Sequence, residues 1–415
     1  MKIQSGLHRL VRQLSPCPHQ RCIVAGALVG LVRQRRRTLG IAASFAGLMP
    51  PTEHPKLRLW QQISAAIARA GGVVAPSQAV LASLQTTQAW RAASLRQRAR
   101  LSSPFGRGLH YSEVLHTWSR QGPDRLLIFH HYDRRGWMPR RWLLALVAIR
   151  QAGWTVVVSS SGLQQPHRLA LEAAGIAVAD RLNLGLCLGA YKDLVLLLHQ
   201  SPKLVSGLQS LVLCNDSTLP VGPLEQLLHH LEAWHQAGIA TDQPRLSGYT
   251  DSIERDCYHL QSYMLHANPA LLQSASWLRF WLGFEPTGSK DELINRGELG
   301  LSQALLAEGA ALWPMYGLIR GLLEGEGLAA ELSRHQITDL RQANQTLFAW
   351  QSLLQRGCPL VKKRVLLEQA EPQGHPIALP ALTAWLPQEC RASLMADLQE
   401  LLISRYSSLA IQPEL

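Results

Sequence analysis

The chain has 415 residues, 47% of them hydrophobic and 6% aromatic, with a formal net charge of +12. That length gives room for about two or three domains with sizeable cores, and the composition is ordinary for a globular protein. Seven cysteines with no CxxC pair exclude a disulfide framework and point to reduced thiols in a cytoplasmic setting.

The basic surplus is confined to the first quarter of the chain. Residues 1–107 hold sixteen Lys and Arg against the single acid Glu53, leaving 25 bases and 28 acids for the rest. Ile23 to Val32 and Gly40 to Pro51 are apolar runs far short of the ~20 residues a spanning helix needs, and the basic residues that follow the first run at once do not suit a cleaved signal. Lys/Arg clusters beside apolar segments favour an acidic membrane surface, so residues 1–107 read as a basic, mostly helical arm for the inner membrane face or a partner protein. Nucleic acid is disfavoured, because neither interleaved aromatics nor a module signature accompanies the arginines. Cys17, His19 and Cys22 have no second ligand pair after them, which argues against zinc.

From Pro123 the texture changes. Arg125 to His130 predicts a buried strand with a polar end through His131, Tyr132 and Asp133. Pro139 opens a helix to Gln151. Trp154 to Val158 predicts a second strand ending in Ser159, Ser160 and Ser161, a helix runs from Gln165 to Ala174, and Ile176 to Ala179 predicts a third strand. Asn183, Gly185, Cys187 and Gly189 form a glycine-punctuated turn before a helix near Tyr191. Leu211 to Cys214 is an unbroken apolar run, as in the middle of a parallel sheet, and stops at Asn215, Asp216 and Ser217. Strands alternating with helices at these lengths predict a mostly parallel α/β sheet. Asp133, Ser159 and Asp216 would share its carboxyl rim, where such sheets bind ligands. Backbone at Gly185 and Gly189 would approach a phosphate.

Gly222 and Pro223 open a helix with His229, His230 and His235, read as a solvated face. Ser247 to Ser252 reads as a hydroxyl-rich turn, and Tyr258 to Met264 as strand-like. Trp277 and Trp281, four apart on a helix, suit core packing, with stacking on a sugar as the functional alternative. Gly297 to Ser302 predicts a helix start that would stabilise an anionic Glu298. Asn344 to Gly357 predicts a helix, the basic cluster Lys362, Lys363 and Arg364 follows, and residues 367–415 form a helical extension.

In order along the chain stand Leu213 to Ser217, Gly222-Pro223-Leu224, His259-Leu260-Gln261-Ser262-Tyr263, Phe280-Trp281, Glu298 and Gly357 to Lys362. This ordered set resembles the rhamnan synthesis protein F family of bacterial cell-surface polysaccharide assembly, over roughly residues 124–366. The resemblance implies a glycosyltransferase domain over 108–366, with a single Rossmann-like sheet of the nucleotide-diphosphate-sugar (GT-A-like) type. It implies a nucleotide-diphosphate sugar as donor, a divalent metal (Mg or Mn) on Asp216, and a glycan acceptor, lipid-linked at the cytoplasmic membrane face. Glu298 would be the base. Asp133, Ser159, Asn183, Gly185, Gly189, Tyr191, Asn215, Ser217 and Lys362 would hold the donor, with Lys362 or Lys363 neutralising the leaving group. Asp251, His259, Gln261, Tyr263 and Trp281 would line the acceptor side. The chain departs from the family's Asn-x-Gly-x-Asp-x-Gly loop by carrying Cys187 in place of the Asp. A thiol cannot accept hydrogen bonds as a carboxylate does, which motivates a second expectation: a binding module without turnover, docked through the basic arm.

Overall fold

The computed structural model describes residues 120–370 apart from 182, 184, 285, 287–289 and 325, together with 388–409 and residues 114, 117 and 118. The basic arm expected over 1–107 lies outside the described residues. The chain is α/β and divides into two units. Among the described residues, those up to 237 and from 357 onward form one unit and those of 238–356 the other.

In the first unit, β1 (Arg125–His131) is followed by α1 (Arg140–Gln151), β2 (Thr155–Ser160), α2 (Gln165–Ala173), β3 (Ala177–Asp180), α3 (Leu186–Leu198) and β4 (Ser210–Asn215). The four strands pair in parallel in the order β3-β2-β1-β4. Leu126, Leu127, Ile128 and Phe129 of β1 lie opposite Leu211, Val212, Leu213 and Cys214 of β4, and all eight are buried. These unbroken apolar runs are what a strand covered on both faces requires. The turn after β1 depends on Gly136, at φ +72°, where an added Cβ would strike the Gly162 carbonyl. β5 (Thr218–Pro220) and α4 (Leu224–Ile239) complete this stretch.

The second unit holds β6 (Arg245–Ser252), β7 (His259–Leu260), β8 (Met264–Ala267), α5 (Ala275–Gly283), α6 (Gly300–Ala307) and β9 (Ala311–Tyr316). β6 pairs antiparallel with β7 and β8 and parallel with β9. Three expectations are corrected here. Ser247 to Ser252 is no turn but the buried end of β6; its polar groups find partners inside the fold, so no apolar alternation marks it. Glu298 does not open a helix. It lies in a π-helical turn, Ile294–Leu299, that runs directly into α6. Residues 344–357 form two short helices, Gln345–Phe348 and Trp350–Gln355, broken at Ala349.

The chain then returns to the first unit. β10 (Leu360–Lys362) pairs antiparallel with β5, and α7 (Lys363–Ala370) and α8 (Gln388–Leu409) follow. α1 begins after Pro139, which offers no side-chain cap. Its first N–H groups are instead satisfied by Asp397 of α8: Arg140 N–H donates to Oδ1 at 2.7 Å and Arg141 N–H to Oδ2 at 2.9 Å. A carboxylate here both pairs orphan donors and faces the positive end of the helix dipole. Asp397→Ala is expected to cost about 1–2 kcal/mol, read as a lower urea midpoint at unchanged slope. Among the described residues no helix is long and apolar enough to cross a membrane.

Candidate functional site

The strand order β3-β2-β1-β4 reverses direction at β1: β2 and β3 lie to one side and β4 to the other. The crevice beyond the carboxyl ends of β1 and β4 is therefore the switch point where open α/β sheets bind ligands. Asp216 bridges it. Its own N–H donates to the His130 carbonyl (3.1 Å), and its Oδ2 accepts the Tyr132 N–H (3.3 Å). The same oxygen receives Lys363 Nζ at 3.0 Å, with side-chain exposures of 15% for the lysine and 10% for the aspartate. Burial pushes the Asp216 carboxyl up, but the Lys363 cation outweighs it and holds the carboxyl below its ordinary value. Its stabilising contribution is thus present above the usual Asp range and lost as pH falls through the lowered value.

Around this pair stand most of the expected donor residues. Asn215 donates to the Tyr191 hydroxyl at 3.1 Å and accepts the Ser217 N–H at 2.9 Å. Lys362 Nζ donates to Ser217 Oγ at 3.2 Å, and the Lys363 N–H to the Ser217 carbonyl at 2.9 Å. Ser159 is buried in register with His130 and Asn215. His130, 2% exposed, is a group the sequence reading missed; the polar end of β1 was its only signal. Burial first, then the charge of Arg181, pushes its pKa down to about 3, so its ring is neutral. Neither ring nitrogen meets a side-chain or backbone partner at hydrogen-bonding geometry, although the Ser159 backbone is near enough to raise the pKa slightly. The Ser159 hydroxyl and the Asn183 carbonyl oxygen are also buried and unpaired.

Other assignments change. Asp133 Oδ1 accepts the N–H groups of Arg135 (2.8 Å) and Trp137 (3.2 Å), so it shapes the turn after β1. Gly185 sits before α3 at φ +72°, a conformation glycine adopts freely. Gly189 is not a loop glycine; it is buried within the first turns of α3, its N–H donating to the Gly185 carbonyl at 2.8 Å. Cys187 stands half-buried in the first turn of α3, one turn ahead of Tyr191.

The metal expectation rests on the Asp216 carboxylate, whose Oδ2 already holds an ammonium and an amide. Among the described residues no group of three or more His, Cys, Asp or Glu is placed to hold a cation. The donor set fits a divalent ion poorly, and Lys363 already brings positive charge to that oxygen.

A second polar cluster lies in the 238–356 unit. Glu298 Oε2 accepts both the N–H (2.7 Å) and the hydroxyl of Ser262, and Oε1 lies 3.5 Å from His259 Nε2. His259 Nδ1 lies 2.8 Å from the Cys257 carbonyl. Each ring nitrogen thus faces an acceptor, an arrangement satisfied by imidazolium. Burial opposes both charges, yet Glu298 is held down at about 2 by His259 and Ser262, and His259 is raised by Glu298. So acidic a carboxylate is a weak general base. Glu298 instead fastens the turn between β7 and β8 to the π-helical segment. The Thr250 hydroxyl bridges Gln261 Oε1 (2.7 Å) and the Tyr263 hydroxyl (2.9 Å), and Gln261 Nε2 donates to Asn344 at 3.2 Å. Asp251 is turned inward, its Oδ1 accepting the Leu318 N–H at 2.6 Å. Trp281 is fully buried, edge-on to Trp277 at 5.4 Å and Phe280 at 5.0 Å. It presents no face for a sugar to stack on, and core packing accounts for it. No protein-family model and no curated protein matches this chain.

Proposed function

We propose that the protein is a glycosyltransferase that takes a nucleotide-diphosphate sugar, with the diphosphate in the crevice beyond β1 and β4. One observation carries this reading: a buried aspartate at the topological switch point holds a lysine, with a second lysine beside it. In the reaction the bond from the anomeric carbon to the diphosphate breaks as a bond forms to an acceptor hydroxyl oxygen. The leaving electron pair stays on the diphosphate, and the acceptor's proton passes to that diphosphate or to water. Lys362 and Lys363 would neutralise the charge that grows there, which is worth most in a site of low dielectric. Asp216 positions Lys363. The unpaired buried groups of His130 and Ser159 suit uncharged parts of a donor. The glycan nature of the acceptor, and its place at a membrane face, come from the family resemblance.

A screen of nucleotide-sugars by thermal midpoint tests the reading, since a ligand bound only by the folded state raises it. At least one donor is expected to raise the midpoint. Lys362→Ala should weaken that donor about tenfold, the loss of one hydrogen bond to a charged group. Absence of any shift, and of nucleoside diphosphate release with any sugar donor, would remove the assignment. Cys187 and the occupied Asp216 oxygen favour a second reading, binding without turnover. Donor binding with no diphosphate released would select it.

A further inference from the structure

In parallel sheets the phosphates of a ligand sit against the free N–H groups that open the helix after a strand at the switch point. Here that helix is α1, and its first N–H groups are engaged by both oxygens of Asp397, which is 1% exposed. A second acid on α8, Glu400, holds Arg135 of the loop between β1 and α1. The Arg135 guanidinium donates to the Glu400 carboxylate at 3.2 and 3.3 Å and to its carbonyl at 2.8 Å. Lys363, the cation on Asp216, lies within electrostatic reach of Asp397 as well. The start of α1 is tied to the same rim, because Trp142 Nε1 donates to the Thr218 carbonyl at 2.6 Å. At that rim the His130 ring, the Ser159 hydroxyl and the Thr218 hydroxyl are buried without partners. Buried polar groups in folded proteins are nearly always paired, so these groups suit a polar ligand at the rim. Its strongest anion-binding groups, meanwhile, are held by the chain's own carboxylates.

We propose that α8 is an autoinhibitory strap, in which Asp397 and Glu400 stand in for anionic oxygens of the diphosphate and must withdraw before it seats. The proposal rests on the assignment of the β1–β4 crevice to the diphosphate. Only the released fraction of the protein is competent, so a strap engaged nine-tenths of the time weakens binding about tenfold. Leu394, Leu398 and Leu401 bury the apolar side of α8. Carboxamide substitutions therefore release the acids without removing the helix's core contacts.

Calorimetric titration of inorganic pyrophosphate into the full chain, at fixed ionic strength, tests the strap. Asp397→Asn/Glu400→Gln should bind about tenfold tighter than the wild type. Glu400→Gln alone, which leaves the cap on α1 intact, should show part of that gain. Hydrogen exchange across α8 in the wild type should quicken on adding pyrophosphate. Variants that bind no tighter than the wild type, exchange that pyrophosphate leaves unchanged, or no binding by any form would each overturn the strap and leave Asp397 a helix cap. A protein that shows the strap effect but releases no nucleoside diphosphate from any sugar donor would lose the proposed reaction and keep the strap.

Discussion

Glu298→Gln is expected to destabilise the unit containing residues 238–356 by about 3 kcal/mol at pH 7, the scale of breaking one partner of a buried ion pair. The glutamate is 17% exposed and its histidine 2%, so solvent does little to screen the loss. The linkage gives a similar figure. Glu298 is held at about 2 against an ordinary 4.5, and each unit is worth about 1.4 kcal/mol. Because its folded pKa is depressed, this stability is present above the ordinary value and drains away as pH falls from about 4.5 towards 2. His259 has the opposite sign. Its folded pKa is raised, so its share is full below the ordinary histidine value and is lost as pH rises through the raised one. Urea unfolding across pH 2–9 should therefore show a plateau flanked by two losses in the wild type, and both slopes flattened in Glu298→Gln. A variant as stable as the wild type at pH 7 would mean that the pair does not form.

Lys363→Met should also cost about 3 kcal/mol, because Asp216 would keep its burial and lose its cation. The apolar stem of the lysine is replaced by a side chain of similar length, so the loss reports charge more than packing. Adding Asp216→Asn should recover much of the stability, and the double-mutant cycle isolates the coupling between the two positions. The cycle should return at least about 1 kcal/mol; additive effects would show that the 3.0 Å contact contributes nothing. Donor affinity behaves differently. Both Lys363→Met and the double variant should bind a nucleotide-sugar poorly, since neither restores the ammonium. Lys362→Ala should weaken the donor while leaving the urea midpoint nearly unchanged, as its hydrogen bond to the exposed Ser217 lies in solvent.

The sheet of the first unit was legible because its strands are continuous apolar runs with polar ends, and Asp216 could be placed at the rim from that pattern alone. β6 was not legible. Its residues RLSGYTDS read as a turn because their polar groups are satisfied by partners on other elements: Thr250 by Gln261 and Tyr263, Asp251 by Leu318. Composition without partners cannot distinguish such a strand from a loop. Lys363 was legible as one of a basic cluster, but only the fold brings it onto an aspartate 147 residues earlier. The cap on α1 comes from 257 residues away, beyond any local signal. Gly189 misled because glycine spacing reads alike for a phosphate loop and for a helix start. Glu298 sits in a π-helical turn inside a helix that begins before it, so its charge does not mark the helix start.

The pairing of β5 with β10 has a consequence for synthesis. Asp216 and the strand beside it are translated 147 residues before Lys363, a delay of roughly 7 to 30 s at usual elongation rates. Through that interval the nascent chain carries an acid at the end of an apolar strand with no counter-ion to meet it. The wait ends only after the whole intervening unit has left the ribosome. Substitutions anywhere in residues 238–356 that slow folding would lengthen the exposure of the earlier unit, so their first symptom should be chaperone association or aggregation of nascent chains.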